Sequence, residues 1–257
     1  MERDEAIRRQ FDQSAAAYGA SPIFAQGHDL ALMVEAATPT PEMTALDVGC
    51  AAGHTALAFA PQVRAVVGID LSTAMLAEAA RLAEARGVAN ARWQEASAAA
   101  IPYPDDTFDI VTCRMVVHHF PSLAPSLAEM ARVLKPGGHL LIVDIISPEE
   151  PSLADFINAV EVLRDPSHGR DWTLSEWDAA GRAIDTPFAV VARWDLPLDF
   201  ADWTARQQTP PDAVAKIERL MDNASPEARA AFSLSGPPHR AFHLWAAFLK
   251  GTKTSSE

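Results

Sequence analysis

Cysteine is scarce in this chain, with only Cys50 and Cys113 among 257 residues. Two cysteines cannot build the disulfide framework on which small secreted domains depend, and their spacing does not fit a zinc site. Both lie at the ends of predicted strands, so we interpret them as core residues. The sequence therefore excludes a fold that is held together by disulfides.

Basic side chains are also few, because 21 lysines and arginines stand against 34 acids and give a net charge of −13. A protein with this charge repels a phosphate backbone, so we exclude nucleic acid as its main partner. Near the N-terminus, Arg3, Arg8 and Arg9 are interleaved with acids, and we interpret them as part of a solvated helix face.

Long hydrophobic runs are missing as well. No apolar run reaches the roughly 18 residues that a membrane-spanning helix requires, and no signal-peptide pattern is present. We therefore expect a soluble cytoplasmic protein with no membrane partner. Hydrophobic residues still make up 49% of the chain, which is enough for the core of one large α/β domain.

What the chain does contain is an alternation of short apolar strands and helices. The predicted strands cover 44–49, 65–69, 91–94, 108–113 and 138–145, and the predicted helices cover 53–60, 72–86 and 122–133. Ser72 fits the N-cap of the second helix, and Gly87 fits its C-terminal end. This alternation is typical of a parallel sheet with helices on both faces.

Helices are also predicted on both sides of this alternation. Two precede it, at 4–18 and 27–37; after it come helices at 152–164 and 173–183, a strand near 188–196, helices near 200–207, 210–222 and 225–231, and an apolar stretch at 241–249. We divide the chain into N-terminal helices that cover the active site (1–40), a core (41–150), and the C-terminal part of the sheet with helical lid insertions (151–257). All three parts are expected to form one compact domain.

The most informative motif is a small-residue turn after the first strand. Residues 45–54 read ALDVGCAAGH, an apolar strand that ends in a tight turn and opens a helix. Such a turn brings backbone N–H groups to a ligand without a side chain in the way. Asp70 follows Gly53 by 17 residues and ends the second apolar run, where a doubly wound fold places an acid against ribose hydroxyls.

Four sequence blocks occur in a characteristic order: LDVGCAAG at 46–53, VGIDLSTAML at 67–76, IPYPDDTFD at 101–109 and RVLKPGG at 132–138. Together they resemble class I S-adenosylmethionine (SAM)-dependent methyltransferases of the ubiquinone/menaquinone-biosynthesis type, the methyltransferase type 11 group. The resemblance implies a Rossmann-like, doubly wound α/β sheet of seven strands, parallel except for an antiparallel last strand, with helical lid insertions. It also implies SAM as cofactor and S-adenosyl-L-homocysteine as product.

The resemblance assigns cofactor binding to residues near the ends of the strands. Asp47 would anchor the turn or the cofactor's ammonium group, and Asp70 would bind the ribose. Leu71 and Met75 would flank the adenine, and Arg114 would pair with the cofactor's carboxylate or a substrate anion. The other residues of the set are Tyr18, Gly49, Ala51, Gly53, Ser97 and Ala98. Structural roles remain open, as caps for the two acids, as core for Leu71 and Met75, and as a salt bridge to a local acid for Arg114.

Two positions depart from the family pattern, and both are expected to face the cofactor. Ala51 replaces the middle glycine of the turn, and its methyl group would approach the cofactor or restrict φ. Ser97 replaces an acid that accepts a hydrogen bond from the adenine amino group, and a hydroxyl is a weaker acceptor. Glu95 is the alternative acceptor if the loop is shifted.

Three histidines are the candidate catalytic residues: His118 and His119 after the fourth strand, and His168 in the first insertion. Neutral imidazole can take a proton near pH 7 from a hydroxyl, a thiol or an acidic carbon. Structural roles are the alternative, with one of the adjacent pair packed in the core and His168 in a polar cluster at a helix end. Together with Asp144 they offer metal-ligand types but no ligand spacing, so we expect no metal.

The predicted function is methyl transfer from SAM to a small-molecule acceptor in a dry pocket. Two alternatives stay open: another reaction on the same fold, such as rearrangement, elimination or demethylation, and a non-catalytic ligand-binding protein with a degenerate cofactor site. A NAD-dependent dehydrogenase is disfavoured because the turn lacks GxGxxG spacing. The sequence does not identify the acceptor, and the helical insertions either cap the pocket or form a homodimer interface.

Overall fold

A computed structural model gives the fold, and it describes residues 27–120, 122–237 and 239–254 together with residues 5, 7, 8, 11, 12, 15, 19 and 25. The helix predicted at 4–18 is therefore described only at separate helical positions, among them Ile7 and Phe11. Tyr18, predicted to bind the cofactor, lies outside the described residues.

The described strands form a single sheet. They are β1 (Thr44–Val48), β2 (Ala65–Asp70), β3 (Ala91–Glu95), β4 (Phe108–Arg114), β5 (Leu134–Ser147), β6 (Trp172–Thr173), β7 (Phe188–Asp199) and β8 (Ala241–Thr252). Seven of them follow the order β3-β2-β1-β4-β5-β8-β7, and the two-residue β6 pairs with β5 off this path. Strands β1 to β5 are parallel, whereas β8 is antiparallel to β5 and β7. The predicted doubly wound sheet with an antiparallel last strand is confirmed, and β6 is an addition to it.

Helices precede, connect and follow the strands. From residue 28 onward they are α1 (His28–Ala37), α2 (His54–Phe59), α3 (Thr73–Ala85), α4 (Leu123–Val133), α5 (Pro151–Arg164), α6 (Leu174–Ala183), α7 (Phe200–Arg206), α8 (Pro211–Asp222) and α9 (Pro226–Ala231). Each of these begins and ends within one residue of its prediction. None of the helices that the structure describes is long and apolar enough to cross a lipid bilayer.

The structure differs from the prediction at the start of β5. The sequence predicts a Pro-Gly-Gly turn and a strand that begins at residue 138, whereas β5 already begins at Leu134. Leu134 pairs with Phe108, and the register then shifts before Ile110 pairs with His139. Gly137 adopts a φ of 77° in this stretch, so the turn residues lie inside a bulged strand rather than before it.

The sheet separates two apolar clusters because neighbouring strand residues point to opposite faces. On β4, Val111 packs in one cluster with Leu127 of α4, while Ile110 packs in the other with Met33 of α1 and Phe59 of α2. Helices therefore cover both faces, and the carboxyl ends of the parallel strands are left for other groups.

A third apolar cluster holds the helices that follow β5. It joins Ile157 of α5, Trp203 of α7, Ile217 of α8 and Phe242 of β8. These residues are as buried as those beneath the main sheet. The helical insertions are therefore packed through a core of their own.

This third cluster can be tested at its largest side chain. Trp203 is only 2% exposed, and we expect Trp203→Ala to lower the free energy of unfolding by about 3–5 kcal/mol, because it leaves a cavity. The control is Val190→Ala at a residue that is 48% exposed, which should change stability by less than about 0.5 kcal/mol. Urea unfolding followed by circular dichroism measures both, and equal effects would contradict the packing described.

Candidate functional site

A cavity opens at the carboxyl ends of β1, β2, β3 and β4, where doubly wound sheets bind ligands. Its lining includes eight of the predicted site residues: Gly49, Ala51, Asp70, Leu71, Ser97, Ala98, Arg114 and His119. The lining leaves out five others: Asp47, Gly53, Met75, His118 and His168. The residues of the first group face the cavity, whereas those of the second group lie behind its wall.

The turn after β1 has three residues in the left-handed region of backbone conformation, with φ of 67° at Gly49, 45° at Ala51 and 79° at Gly53. A Cβ on Gly53 would lie 2.5 Å from the ring of Trp93, and one on Gly49 would lie 2.8 Å from Val116. Both glycines are therefore required by backbone conformation and by space. Gly53 shapes the turn without lining the cavity.

Ala51 keeps the shape of the turn although it is not glycine. Left-handed conformation costs an L-residue roughly 1 kcal/mol. The Ala51 N–H donates to Asp70 Oδ2 at 2.9 Å, and Asp70 Oδ1 accepts from the Ser72 N–H at 2.9 Å. Asp70 thus joins the turn to the end of β2, and both Ala51 and Asp70 line the cavity.

The pKa of Asp70 is raised because burial penalises the carboxylate, and the hydrogen bonds from Ser72 and Ala51 offset part of this effect. A buried carboxylate with both oxygens bonded to backbone N–H groups has a fixed orientation. A ligand at this position would therefore meet a hydrogen-bond acceptor, the Asp70 carboxylate, whose orientation is already fixed.

Asp47 plays the structural role that the sequence left open. Its Oδ2 accepts from the Ala56 N–H at 3.1 Å, and its Oδ1 accepts from Thr112 Oγ1 at 2.8 Å. The carboxyl group therefore caps the first turn of α2 from below the cavity. Burial raises the pKa of Asp47 to about 7, against the lowering effect of these hydrogen bonds.

The loop after β3 carries the second departure from the family pattern. Ser97 and Ala98 line the cavity as predicted. Ser97 Oγ accepts from the Ala99 N–H at 3.2 Å, which fixes the loop locally. Glu95 instead forms an ion pair with Arg8 at 2.8 Å and is not part of the lining. The structure therefore favours Ser97 over Glu95 as the polar group at this wall.

The two residues predicted to flank an adenine ring separate in the structure. Leu71 lines the cavity, whereas Met75 is fully buried on α3. The Met75 N–H donates to Ser72 Oγ, the N-cap of α3, at 3.1 Å. Met75 therefore takes the core role that the sequence left as the alternative.

Arg114 forms a salt bridge, its alternative role, but with an acid distant along the chain instead of the local acid expected. Its Nε and Nη2 donate to the two oxygens of Asp29 at 2.5 and 3.0 Å, and both side chains are buried. Asp29 lies in the first turn of α1, and sequence reasoning missed it. The pair fastens α1 to the end of β4, where Arg114 also lines the cavity.

The three candidate histidines lie together. The ring centroids of His118 and His119 are 4.3 Å apart, those of His118 and His168 are 5.4 Å apart, and those of His119 and His168 are 6.4 Å apart. Of the three, His119 alone lines the cavity. The adjacent pair therefore divides, with one ring at the cavity wall and one ring behind it.

The protonation states of the adjacent pair also differ. Burial by itself lowers the pKa of His118, but the Asp144 carboxylate, 2.6 Å from Nδ1, outweighs it and raises the pKa to about 9. Burial and the nearby charge of His118 lower the pKa of His119 to about 3. At neutral pH, His118 is a cation paired with Asp144, and His119 is a neutral imidazole.

His168 belongs to a buried polar cluster behind His118. Its Nδ1 lies 3.9 Å from Glu161 and its Nε2 lies 3.8 Å from Asp171, both too long for direct hydrogen bonds. Burial raises the pKa of Glu161 and of Asp171. His168 is thus part of a helix-end cluster, the alternative role that the sequence left open.

Sequence reasoning did not single out the apolar residues that the N-terminal region contributes to the cavity wall. Ile7 and Phe11 both line it, and the Phe11 ring meets the His119 ring edge to face at 5.0 Å. The signal was present in the sequence, because apolar residues four apart share one face of a helix.

The glycine turn gives a matched pair of substitutions. We expect Gly53→Ala to lower the free energy of unfolding by about 2–4 kcal/mol, from left-handed strain plus the clash with Trp93. Gly87→Ala is the control, because Gly87 has a φ of 67° and nothing within 4 Å of a Cβ. It should cost about 1 kcal/mol or less. Chemical denaturation measures both, and losses of the same size would rule out the steric part of this account.

Asp47 predicts a pH dependence of stability. Its native pKa of about 7 exceeds the ordinary 3.8, so the native state binds the extra proton between these values and stability falls as pH rises from about 4 to 7. In Asp47→Asn, the decrease in the free energy of unfolding between pH 4 and 7 should be smaller by on the order of 3–4 kcal/mol. Denaturation midpoints at a series of pH values test it, with exposed Asp155→Asn as control; an unchanged slope in the Asp47 variant would contradict it.

Comparison with known proteins assigns the chain to a family. A profile described as a methyltransferase domain matches residues 46–142. A demethylmenaquinone methyltransferase of Thermus thermophilus is 42% identical over 106 residues, which are 40% of this chain and 47% of that relative. A geranyl diphosphate methyltransferase solved in complex with SAM has a TM-score of 0.62 at 15% identity, covering 88% of this chain and 84% of its own, and shows likeness of fold alone.

The similarity to one relative spans nearly the whole chain. YcgJ of Bacillus subtilis (strain 168), described as an uncharacterized methyltransferase, is 40% identical over 247 residues, which are 95% of this chain and 97% of YcgJ. The crystal structure of YcgJ has a TM-score of 0.87 and covers 89% of this chain and 99% of its own. The family resemblance carried by the four sequence blocks is confirmed, and the chain belongs to the methyltransferase family.

Proposed function

We propose that this methyltransferase takes its methyl group from SAM and transfers it to a small-molecule acceptor, with S-adenosyl-L-homocysteine as product. The observation that carries the proposal is the joint position of Ala51 and Asp70. A left-handed turn and a buried, oriented carboxylate meet at one cavity wall. This pairing suits a ligand with a ribose and a polar tail, because it offers open backbone and a directed acceptor together.

The residues at the cavity fit the chemical groups of SAM. Asp70 has the charge and fixed orientation to accept hydrogen bonds from ribose hydroxyls. Leu71 and Ala98 supply apolar surface for a flat base, and the Ser97 hydroxyl supplies an acceptor. Gly49 brings its backbone to the cavity with no side chain in the way. A geranyl diphosphate methyltransferase of the same fold was solved in complex with SAM, which supports SAM as the cofactor.

Other residues of the predicted set would act from behind the cavity. Asp47 and Gly53 shape the turn, and Met75 lies buried on α3. Arg114 donates from two nitrogen atoms to Asp29. We therefore assign Arg114 two roles, which are to hold α1 in place and to bind the polar end of the cofactor.

The acceptor would occupy the apolar part of the cavity. This surface includes Ile7, Phe11, Val116 and Phe120, and it suits a ring or chain rather than a strongly charged molecule. The demethylmenaquinone methyltransferase among the relatives supports a quinone-like acceptor that is largely apolar. We therefore propose an acceptor of this chemical class.

His119 would receive the acceptor's proton. SAM supplies an electrophilic methyl group on a sulfonium, and the chain orients the acceptor for in-line attack and excludes water. Because the pKa of His119 is held low, the imidazole is neutral and can accept a hydrogen bond at any pH near 7. A low pKa also makes it a weak base, which suits an acidic hydroxyl better than an aliphatic one.

Calorimetric titration with SAM tests the cofactor assignment. We expect micromolar binding by the native protein and at least about a tenfold loss in Asp70→Asn, because a charged acceptor for the ribose hydroxyls is lost. Asn keeps one oxygen for a backbone N–H, so circular dichroism should show an intact fold.

The matched control is Asp155→Asn, at an exposed carboxylate on α5, which should bind SAM as the native protein does. Failure of the folded native protein to bind SAM at millimolar concentration would overturn the proposed function. Unaltered affinity in Asp70→Asn would show that the ribose is held elsewhere.

A further inference from the structure

We propose that Ser167 and Asp165 are positioning residues that hold His119 in the tautomer with its proton on Nδ1, which leaves Nε2 as the acceptor. The meaning of this for catalysis rests on the proposed function, but the tautomer itself follows from hydrogen bonds within the chain. Ser167 and Asp165 belong to the helical insertions, so these insertions contribute to the reaction site.

The proton of the Ser167 hydroxyl is committed to Asp165. Asp165 Oδ1 accepts from Ser167 Oγ at 2.6 Å and from the Ser167 N–H at 2.8 Å, while Gln207 Nε2 donates to Oδ2. An ionised carboxyl group only accepts hydrogen bonds. The Ser167 hydroxyl therefore points its single proton at Asp165.

Ser167 Oγ is left as an acceptor on its other side. It lies 3.2 Å from Nδ1 of His119, and with its own proton used it can only accept there. Nδ1 must then carry the proton. Since a neutral imidazole has one N–H, Nε2 carries the lone pair.

The segment that supplies these groups is docked onto the histidine pair. The carbonyl of His118 accepts from the N–H groups of Gly169 and Arg170 at 2.6 and 3.1 Å. The Asp165 N–H donates to the carbonyl of Glu161 at 2.9 Å, which joins the segment to the end of α5. Ser167, Asp165 and Gln207 are all buried, so the hydrogen-bond chain is shielded from water.

Gln207 extends this chain to a second helix. It follows α7 directly, and its amide fixes the outer oxygen of Asp165. The orientation of His119 is thus set by residues after α5 and after α7, two helices whose apolar sides meet in the third cluster. Positioning of the imidazole depends on that packing.

Nitrogen-15 NMR of the full chain, labelled at histidine, reads the tautomer directly. His119 is assigned by the signal that disappears in His119→Gln. We expect the native protein to hold Nδ1–H, and the ratio of Nδ1–H to Nε2–H to fall about fivefold or more in Ser167→Ala, as one hydrogen bond is lost. Ser167→Thr keeps the hydroxyl and should restore the native ratio.

The control variant is Ser152→Ala, an exposed serine whose hydroxyl donates to Glu150; it should leave the His119 signals unchanged. An Nε2–H tautomer in the native protein, or a native ratio in Ser167→Ala, overturns the inference. The native measurement alone decides it if Ser167→Ala does not fold.

Titration with SAM separates this inference from the proposed function. Ser167→Ala should bind SAM as the native protein does, since Ser167 acts on His119 and not on the cofactor wall. Loss of SAM binding in a folded Ser167→Ala variant overturns the positioning role. If the native protein does not bind SAM, the proposed function fails, while the tautomer measurement still decides the inference.

Discussion

The two hydrogen bonds of the Asp70 carboxylate hold the site together. They join the turn after β1 to the start of α3, so the backbone of one element and the acceptor of the next have a fixed relation. The left-handed turn, the cap of α3 by Ser72 and the wall formed by Leu71 all depend on that relation. Burial makes this anchor costly for a lone charge, and the backbone N–H groups around it offset the cost. The carboxylate proposed to bind the ribose is therefore also the group that fixes the turn.

The chain also keeps two adjacent histidines in opposite protonation states. The carboxylate of Asp144 retains the proton on His118, and the resulting cation discourages a second proton on His119. One charged pair thus sets the state of the ring at the cavity wall. Two neighbouring imidazoles in water would have the same pKa, so the difference between the pKa values of His118 and His119 comes from their surroundings in the protein.

Local sequence pattern was enough to predict most of the described helices and the turn after β1. Strand–helix alternation placed the described helices, and small residues at 49–53 located the turn. Long-range pairing was not predictable, because nothing near Arg114 points to Asp29, which lies 85 residues away along the chain. For the same reason the sequence could not tell which predicted histidine faces the cavity, since that choice is made by Asp144 and Ser167. The early start of β5 was also missed, because glycines that predict a turn can equally sit in a bulge.

The position of β8 has a consequence for the order of assembly during synthesis. This strand lies between β5 and β7 in the sheet although it follows both along the chain. Among the described strands β7 pairs only with β8, so β7 lacks this neighbour in a nascent chain from which β8 has not yet emerged. The parallel half of the sheet can pair as it leaves the ribosome, whereas the antiparallel half must wait for its central strand. The residues proposed to orient His119 directly follow helices α5 and α7, which share an apolar cluster with β7 and β8 of that later half.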